Sequence, residues 1–429
     1  MKTLLEYRTS GLGRSLCWPS LAFAALMKPL AALSLVVLLL LAARCALPPT
    51  HFRIDVEAGE TDRIGTWVSF PMPESATSSV YIAIGAYDSR QIVERDANGI
   101  GWLRIDTLRA GQTAGYTLGP ASEAIAAMGD PDVVIRETEG QYALTVQGLP
   151  LLTYHAAPRP LPEGVDPAYQ RGGYIYPLLS PSGVRITDDY PPSHPHQHSL
   201  WFAWTETAFR GGTPDFWNLL EQTATITSQG VTASWSGLAQ GGFEAQHAHV
   251  LLDGEAHETV LDETWRVQAY NTLRQGYHTL DLAVTQRNIT ADTLLLKEYH
   301  YGGLGLRGRR EWTKPEDMIV LTSEGHDRST GHATRARWAY IGGTVDGQQV
   351  GAVAMSHPEN PRHPEPMRIH PDVPFFNFAP IQAGPLALAP NDTFAARYRL
   401  VTLDGAPDAA QIDRLWQDFA QPPTVRVLD

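Results

Sequence analysis

Past residue 50 the sequence keeps a two-residue period, and that period constrains the fold more than any other feature. Phe52, Ile54 and Val56 alternate with Arg53, Asp55 and Glu57, and Val80, Ile82 and Ile84 do the same in VYIAIGAYD. Successive side chains of a strand point to opposite faces, so alternation of this kind gives a sheet one apolar face. Gly, Pro and Asp break the runs. Asp253–Gly254 stands between two alternating runs in FEAQHAHVLLDGEAHETVLDETWRVQAY, which is the signal for a two-residue hairpin. Leu280, Leu282 and Val284 form a further stripe in YHTLDLAVTQRN. No self-similarity at a period of roughly 20–50 residues is visible, which argues against propellers and solenoids.

One segment, PDAAQIDRLWQDFAQPP, is helical in its spacing. Asp408 can cap it, Gln411 completes a capping box, and Ile412, Leu415, Trp416 and Phe419 fall on one side before Pro422 and Pro423 stop it. The expected architecture is all-β. A small N-terminal β-sandwich covers residues 50–125 and ends in the small-residue connector GPASEAIAAMGDPD. A large antiparallel β-sandwich of two stacked sheets then covers 126–429 and carries one C-terminal helix at 408–420.

The first 46 residues have a different grammar. AALSLVVLLLLAA, Ala31 to Ala43, follows Met27 and Lys28 and has the length of a signal-peptide h-region. It is shorter than the ~20 residues that span a bilayer comfortably. Met27 could itself be the start, since a complete signal peptide begins there. Soluble export, lipid anchoring at Cys45 and a retained membrane anchor all stay open. Arg44 stands where a lipobox wants a small residue. The expected location is outside the cytoplasm, periplasmic or extracellular, with membrane contact only through this segment. The only cysteines are Cys17 and Cys45, so residues 46–429 have no disulfide, thiolate zinc site or iron–sulfur cluster. A net charge of −13, with no basic run among 33 Lys and Arg, argues against a nucleic-acid partner.

Candidate chemistry begins in SHPHQHSLWFAWTE, Ser193 to Glu206. His194, His196 and His198 occupy every second position, ahead of Leu200, Trp201, Phe202 and Trp204. On an extended strand the imidazoles would share one face, about 6.8 Å apart per pair. All three could meet on one metal only if the backbone curved. Pro191, Pro192 and Pro195 point to a rigid extended loop or an edge strand. Hydrogen bonding to neighbouring strands, acid–base or substrate-binding work, and metal ligation are the three uses such histidines can have.

TPDFWN supplies Asp215, Trp217 and Asn218, the materials of a sugar site, with rings to stack on pyranose faces and polar groups to hold hydroxyls. Trp217 could equally be core. KEYHYGGLGLRG places Glu298, Tyr299, His300, Tyr301 and Arg307 beside four glycines but lacks the ending of a phosphate loop. SHPENPRHPEPMRIHPDVPFF carries His357, Asn360, Arg362, His363, Arg368 and His370 in a Pro-rich surface stretch, where two arginines could clamp a carboxylate. No G-x-S-x-G occurs, so a serine hydrolase has no support.

The order of these motifs carries a resemblance. GYIYPLLSPSGVRITDDYPPSHPHQHSLWFAW, DFWN, YHYGGLGLRG, TSEG, HPENPRHPEPMRIHP and the closing LDGAPD resemble the bacterial family known as methane oxygenase PmoA-like, also filed as a domain of unknown function. The likeness covers roughly residues 50 to 425, with Ser199 where the family's common form has Gly. The methane monooxygenase subunit is a multi-span membrane protein, whereas this chain has one hydrophobic segment, so methane oxidation and copper are not carried over. The resemblance implies an exported β-sandwich protein whose body is similar to the galactose mutarotase-like supersandwich. That scaffold commonly binds carbohydrate, though fold does not fix function.

The leading expectation is an exported carbohydrate-active protein, of hydrolase, lyase or epimerase type if it is an enzyme. His196, His198, Asp215 and Glu298 would be its acid–base groups. His194, Trp204, Trp217, Tyr301, Arg307, Asn360, Arg362, Arg368 and His370 would contact the ligand, a carbohydrate or other small molecule. A non-catalytic glycan-binding or envelope protein and a metal-dependent oxidoreductase are the alternatives. No cofactor is expected. A divalent metal stays open, and His194, His196 and His198 would be its ligands.

Overall fold

The computed structural model describes residues 51–428 apart from 124, 126–129, 254–255, 274 and 315. The targeting segment, with Cys17 and Cys45, lies outside the described residues, as does Gly254 of the expected hairpin turn. The hairpin strands themselves, Gln240–Asp253 and Ala256–Tyr270, pair antiparallel along their whole length. No helix among the described residues is long and apolar enough to cross a membrane.

Alternation builds the first sheet as expected. Phe52, Ile54 and Val56 are buried with Val68, Leu103 and Leu118, while Arg53 and Glu57 face out. The strands run in the order Arg63–Pro71, Ile100–Leu108, Arg90–Arg95, Val80–Ile84, Thr113–Pro120, Phe52–Glu57 and Thr424–Leu428, and the two edge strands touch, so the sheet rolls around its own core. Its last strand comes from the far end of the chain, with Arg53 opposite Leu428 and Glu57 opposite Thr424. Residues 424–428 therefore join the N-terminal sheet, where they cover one edge of Phe52–Glu57.

Two eight-stranded antiparallel sheets form the larger body. The front sheet runs Met367–Ile369, Phe375–Phe378, Gly303–Arg307, Leu200–Ala203, Tyr174–Leu178, Leu149–His155, Gln141–Val146, Val133–Thr138. The back sheet runs Ala224–Trp235, Gln240–Asp253, Ala256–Tyr270, Tyr277–Asn288, Thr393–Asp404, Gln348–Ser356, Trp338–Val345, Met318–Thr322. Their inner faces meet through aromatic pairs: Phe202 and Phe378 lie 6.4 and 5.8 Å from Tyr398, and Tyr154 lies 4.8 Å from Phe243. This is the expected all-β sandwich.

The back sheet is covered outside as well. On Thr393–Asp404, Phe394, Ala396, Tyr398 and Leu400 face the inter-sheet core, whereas Val401 and Leu403 face a helix, Ala409–Ala420. Asp408 caps that helix through Ala410 and Gln411, and Ile412, Leu415, Trp416 and Phe419 are its buried side. A buried ion pair, Arg63 with Asp418 at 2.8 Å, ties the helix to the rolled sheet.

Candidate functional site

The site stands on the outer face of the front sheet, and strand parity decides which residues reach it. Phe202, Leu304, Leu306, Phe376 and Phe378 point into the sandwich. Trp201, Gly305, Phe375 and Arg368 have the opposite parity. Gly305 faces Trp201 directly, and a Cβ there would stand 2.8 Å from the indole, so only glycine lets that ring lie across the sheet. Phe375 stacks on Trp201, and Trp217 packs against Trp201 at 4.9 Å and Tyr301 at 5.2 Å. These rings make an aromatic layer in which Trp201 and Trp217 are fully buried, as core residues are, and only Tyr301 is partly exposed.

Over it runs the histidine loop. It is not a strand: the amide of His194 donates to the Pro191 carbonyl and that of Gln197 to the His194 carbonyl, two successive turns. The turns defeat the every-second-residue logic and send the histidines in different directions. His198 goes inward and is fully buried. Its Nδ1 donates to Asp189 Oδ1 at 2.7 Å, its ring stacks on Tyr174 at 4.4 Å, and Tyr190 meets it edge-on at 4.8 Å. Asp189 also accepts from Arg159 at 2.5 Å and Tyr174 at 3.0 Å. Burial alone would raise the Asp189 carboxyl, but the His198 hydrogen bond and the charges around it outweigh burial and hold it below its usual range. Burial keeps His198 neutral. His198 anchors the loop from inside and lines neither of the two pockets beside it, where the sequence had pointed to a catalytic group.

His194 and His196 stay at the surface of the loop. Their rings are 5.8 Å apart, and the ring of His370, on the opposite side, is 5.9 Å from His194. A pocket of about 290 Å³ opens between them, with Arg368, His300, Tyr301 and Trp217 on its other walls. The structure thus brings together residues some 170 positions apart in the chain. His370 Nδ1 accepts the amides of Asp372 and Val373, so the neutral ring carries its proton on Nε2. Burial, then the charge of Arg368, lowers His370 to about 4. Burial also lowers His196 to about 3, and its ring makes no side-chain hydrogen bond among the described residues. Tyr301 donates to Asn218 Oδ1 at 3.1 Å, and burial pushes its hydroxyl up to about 12.

A second pocket of about 480 Å³ shares His196 and Asn218 with the first and contains Asp215 and Glu206. Asp215 Oδ1 accepts the amides of Trp217 and Asn218, and Oδ2 accepts Asn218 Nδ2 at 2.6 Å. Asp215 therefore shapes the turn that presents Trp217, besides lining the pocket.

Several expected contacts stand elsewhere. Trp204 has the inward parity of Phe202, is fully buried, and donates to Gln286 at 2.6 Å inside the sandwich, so it is no platform. Glu298 is exposed and lines neither pocket. Asn360 is buried against Glu365 and the Arg397 backbone. Arg362, with φ +68°, gives its guanidinium to the carbonyls of Pro380, Gly384 and Pro385, so it pins a loop and cannot clamp a ligand. Arg307 lies behind the pocket, donating to Gln197 at 2.8 Å; burial lowers it to about 10.

Asp189 and His300 were not among the expected site residues, although both lie inside the quoted motifs. A third group left no usable signal. Inside the sandwich Glu263 accepts from His247 at 3.1 Å, His249 at 3.2 Å and Gln286 at 2.9 Å, and Tyr154 pairs with His247 at 2.7 Å. Burial opposes ionisation of Glu263, but the two histidines outweigh it and hold the carboxyl well below its usual range. Buried between the sheets, and with only His249 Nδ1 left without a partner among its histidine nitrogens, this network is a structural element of the core. Among the described residues no three His, Cys, Asp or Glu side chains stand where they could hold a metal ion together.

The fold and site define an antiparallel β-sandwich protein with a histidine-lined pocket on the outside of one sheet. The chain belongs to a family of unknown function, DUF6807, whose model matches residues 141–417. No curated protein matches it. Among solved structures it is similar to an alpha-mannosidase from Enterococcus faecalis V583, at 10% identity and a TM-score of 0.43 over 93% of this chain and 48% of that one. A galactose mutarotase-like protein from Lactobacillus casei ATCC 334 is similar at 8% identity and a TM-score of 0.30, over 64% of this chain and 100% of the other. A GH36 alpha-galactosidase from Geobacillus stearothermophilus gives 11% identity and a TM-score of 0.22, over 79% and 40%. The chain spans about half the length of the mannosidase. Likenesses this weak carry nothing about function.

Proposed function

We propose that the protein is exported, by way of residues 1–46, and binds a sugar ring in the His194–His196–His370 pocket, where it moves protons on that ring. The observation that carries this reading is the pocket's composition: the partly exposed Tyr301 ring, backed by the buried Trp217, beneath several neutral imidazoles, in a volume of about 290 Å³. That lies near the lower end of the ~300–1,000 Å³ typical of small-molecule sites, and a saccharide needs an apolar face with convergent polar groups. His370, protonated on Nε2, donates to a hydroxyl or a leaving oxygen. His196, kept neutral by burial, accepts a hydrogen bond from a hydroxyl. Asn218, held by Asp215 and Tyr301, orients the ring from the side. The second pocket, across His196 and Asn218, takes the next unit of a glycoside, which puts the linkage beside His196. Hydrolase, lyase and epimerase chemistry all use such acid–base pairs.

The absence of a carboxylate from the wall of the smaller pocket favours a second reading, a glycan-binding protein without turnover. A screen of oligosaccharides for binding and turnover, run on wild type and on His196→Ala and His370→Ala, separates the two. Turnover in wild type, lost in both variants and unaffected by chelators, supports the enzyme. Binding without turnover supports the second reading. Activity removed by chelation and restored by one metal installs a metal-dependent oxidoreductase or other metal chemistry in its place.

A further inference from the structure

We propose that the sugar taken by this pocket is acidic: its ring carries a carboxylate or a sulfate, and Arg368 receives that group. The inference rests on the reading of the pocket as a sugar site and narrows its ligand to one class.

The pocket wall carries a cation that no ion pair among the described residues compensates. Among the described residues no Asp or Glu lines the pocket. Arg368 is on its wall, partly buried, and its Nη1 meets His332 Nε2 at 3.2 Å. Asp372 is close enough to be felt by Arg368 yet makes no ion pair with it. Other arginines around the same sheet are matched: Arg159 by Asp189, Arg310 by Asp188, and Arg362 by backbone carbonyls. A second guanidinium stands behind the first wall. Arg307 is 2% exposed, donates to Gln197, feels the charge of Asp188 without an ion pair to it, and has an Nε without a partner. Two cations without carboxylate partners thus share one side of one sheet, in a chain whose net charge is −13.

A partly buried cation loses hydration and recovers the loss from acceptors around it, most fully from a counter-charge. A neutral sugar supplies none, whereas a carboxylate or sulfate does, and the planar guanidinium fork matches either bidentately. The imidazoles agree with this. Burial first, and then the charges of Arg307 or Arg368, hold His194, His300 and His370 neutral. An anion beside them offsets those charges and lets the rings keep or gain protons, which adds donors to the same group. The neighbouring pocket, with Asp215 and Glu206, has the opposite character and suits an uncharged unit rich in hydroxyls.

The test is calorimetric titration of the full chain with three sets of saccharides: galacturonate and glucuronate oligomers, their sulfated neutral counterparts, and unmodified galactose and glucose oligomers. Acidic sugars are expected to bind at least tenfold more tightly than neutral ones, and the stronger of the two acidic arms identifies the group. Arg368→Gln should remove the preference, read as the ratio of acidic to neutral affinity, and Arg368→Lys should keep most of it. Equal or tighter binding of neutral sugars overturns the acidic class and leaves the sugar site standing. Binding of no saccharide overturns both. If Arg368→Gln does not fold, the wild-type preference must still weaken as salt rises, and a salt-independent preference refutes the role of charge.

Discussion

His196 and His198 stand two residues apart in one loop, and the structure gives them opposite fates, which makes a pair of alanine variants an internally controlled experiment. His198→Ala removes a fully buried ring between Tyr174 and Tyr190, together with its 2.7 Å hydrogen bond to Asp189. A hydrogen bond to a charged group contributes about 1.5–3 kcal/mol. Emptying a buried ring-sized site costs about 2–5 kcal/mol, depending on collapse. Asp189 keeps Arg159 and Tyr174, so no orphaned charge is added. The terms overlap, and the expected loss is about 3–5 kcal/mol. His196 is partly exposed and has no hydrogen-bond partner to lose, so His196→Ala should cost about 1 kcal/mol or less. Guanidinium unfolding followed by tryptophan fluorescence measures both. Equal destabilisation, or a His198→Ala variant as stable as wild type, refutes the division of the loop into an anchor and a working face.

Acidification should destabilise the fold from about pH 6.5 downward, because buried neutral histidines bind fewer protons folded than unfolded. His278, at about 4 with neither ring nitrogen partnered, and His357, also at about 4, set the window. Their stabilising contribution is complete above ~6.5 and lost towards ~4, so an unfolding midpoint that stays flat from ~7 to ~5 contradicts the burial assigned to them. Arg362→Ala should lower stability by about 1–3 kcal/mol through its unpaired loop carbonyls, while leaving saccharide discrimination unchanged; altered discrimination would return Arg362 to the site. Tyr301→Phe should weaken saccharide binding about two- to tenfold, the equivalent of one hydrogen bond, and no change would detach Asn218 from the ligand.

The strand grammar was legible because alternation is a local property of backbone geometry. Pairing is not local: Thr424–Leu428 reads as one more alternating run, and nothing in it names Phe52–Glu57 as its partner. The candidate site was legible as residue types and misleading as geometry. His194, His196, Trp217, Tyr301, Arg368 and His370 do meet in one pocket. Trp204 was mistaken for a platform because Leu200–Ala203 is buried on both faces, so its sequence does not say which parity looks outward. Arg362 and Arg368 sit six residues apart in one Pro-rich motif, yet a left-handed backbone turns the first onto carbonyls and an edge strand aims the second at the pocket. Asp189 needed the bridge that sets it opposite His198, a contact between loops that no spacing rule encodes.

The most direct test is a crystal structure of the full chain with a bound acidic oligosaccharide. One ring is expected against Tyr301, its charged group on Arg368, and a linkage beside His196 and Asn218. A sugar seated instead in the pocket of about 340 Å³ among Trp67, Trp102, Tyr270 and Phe419, with the histidine pocket empty, would contradict that placement.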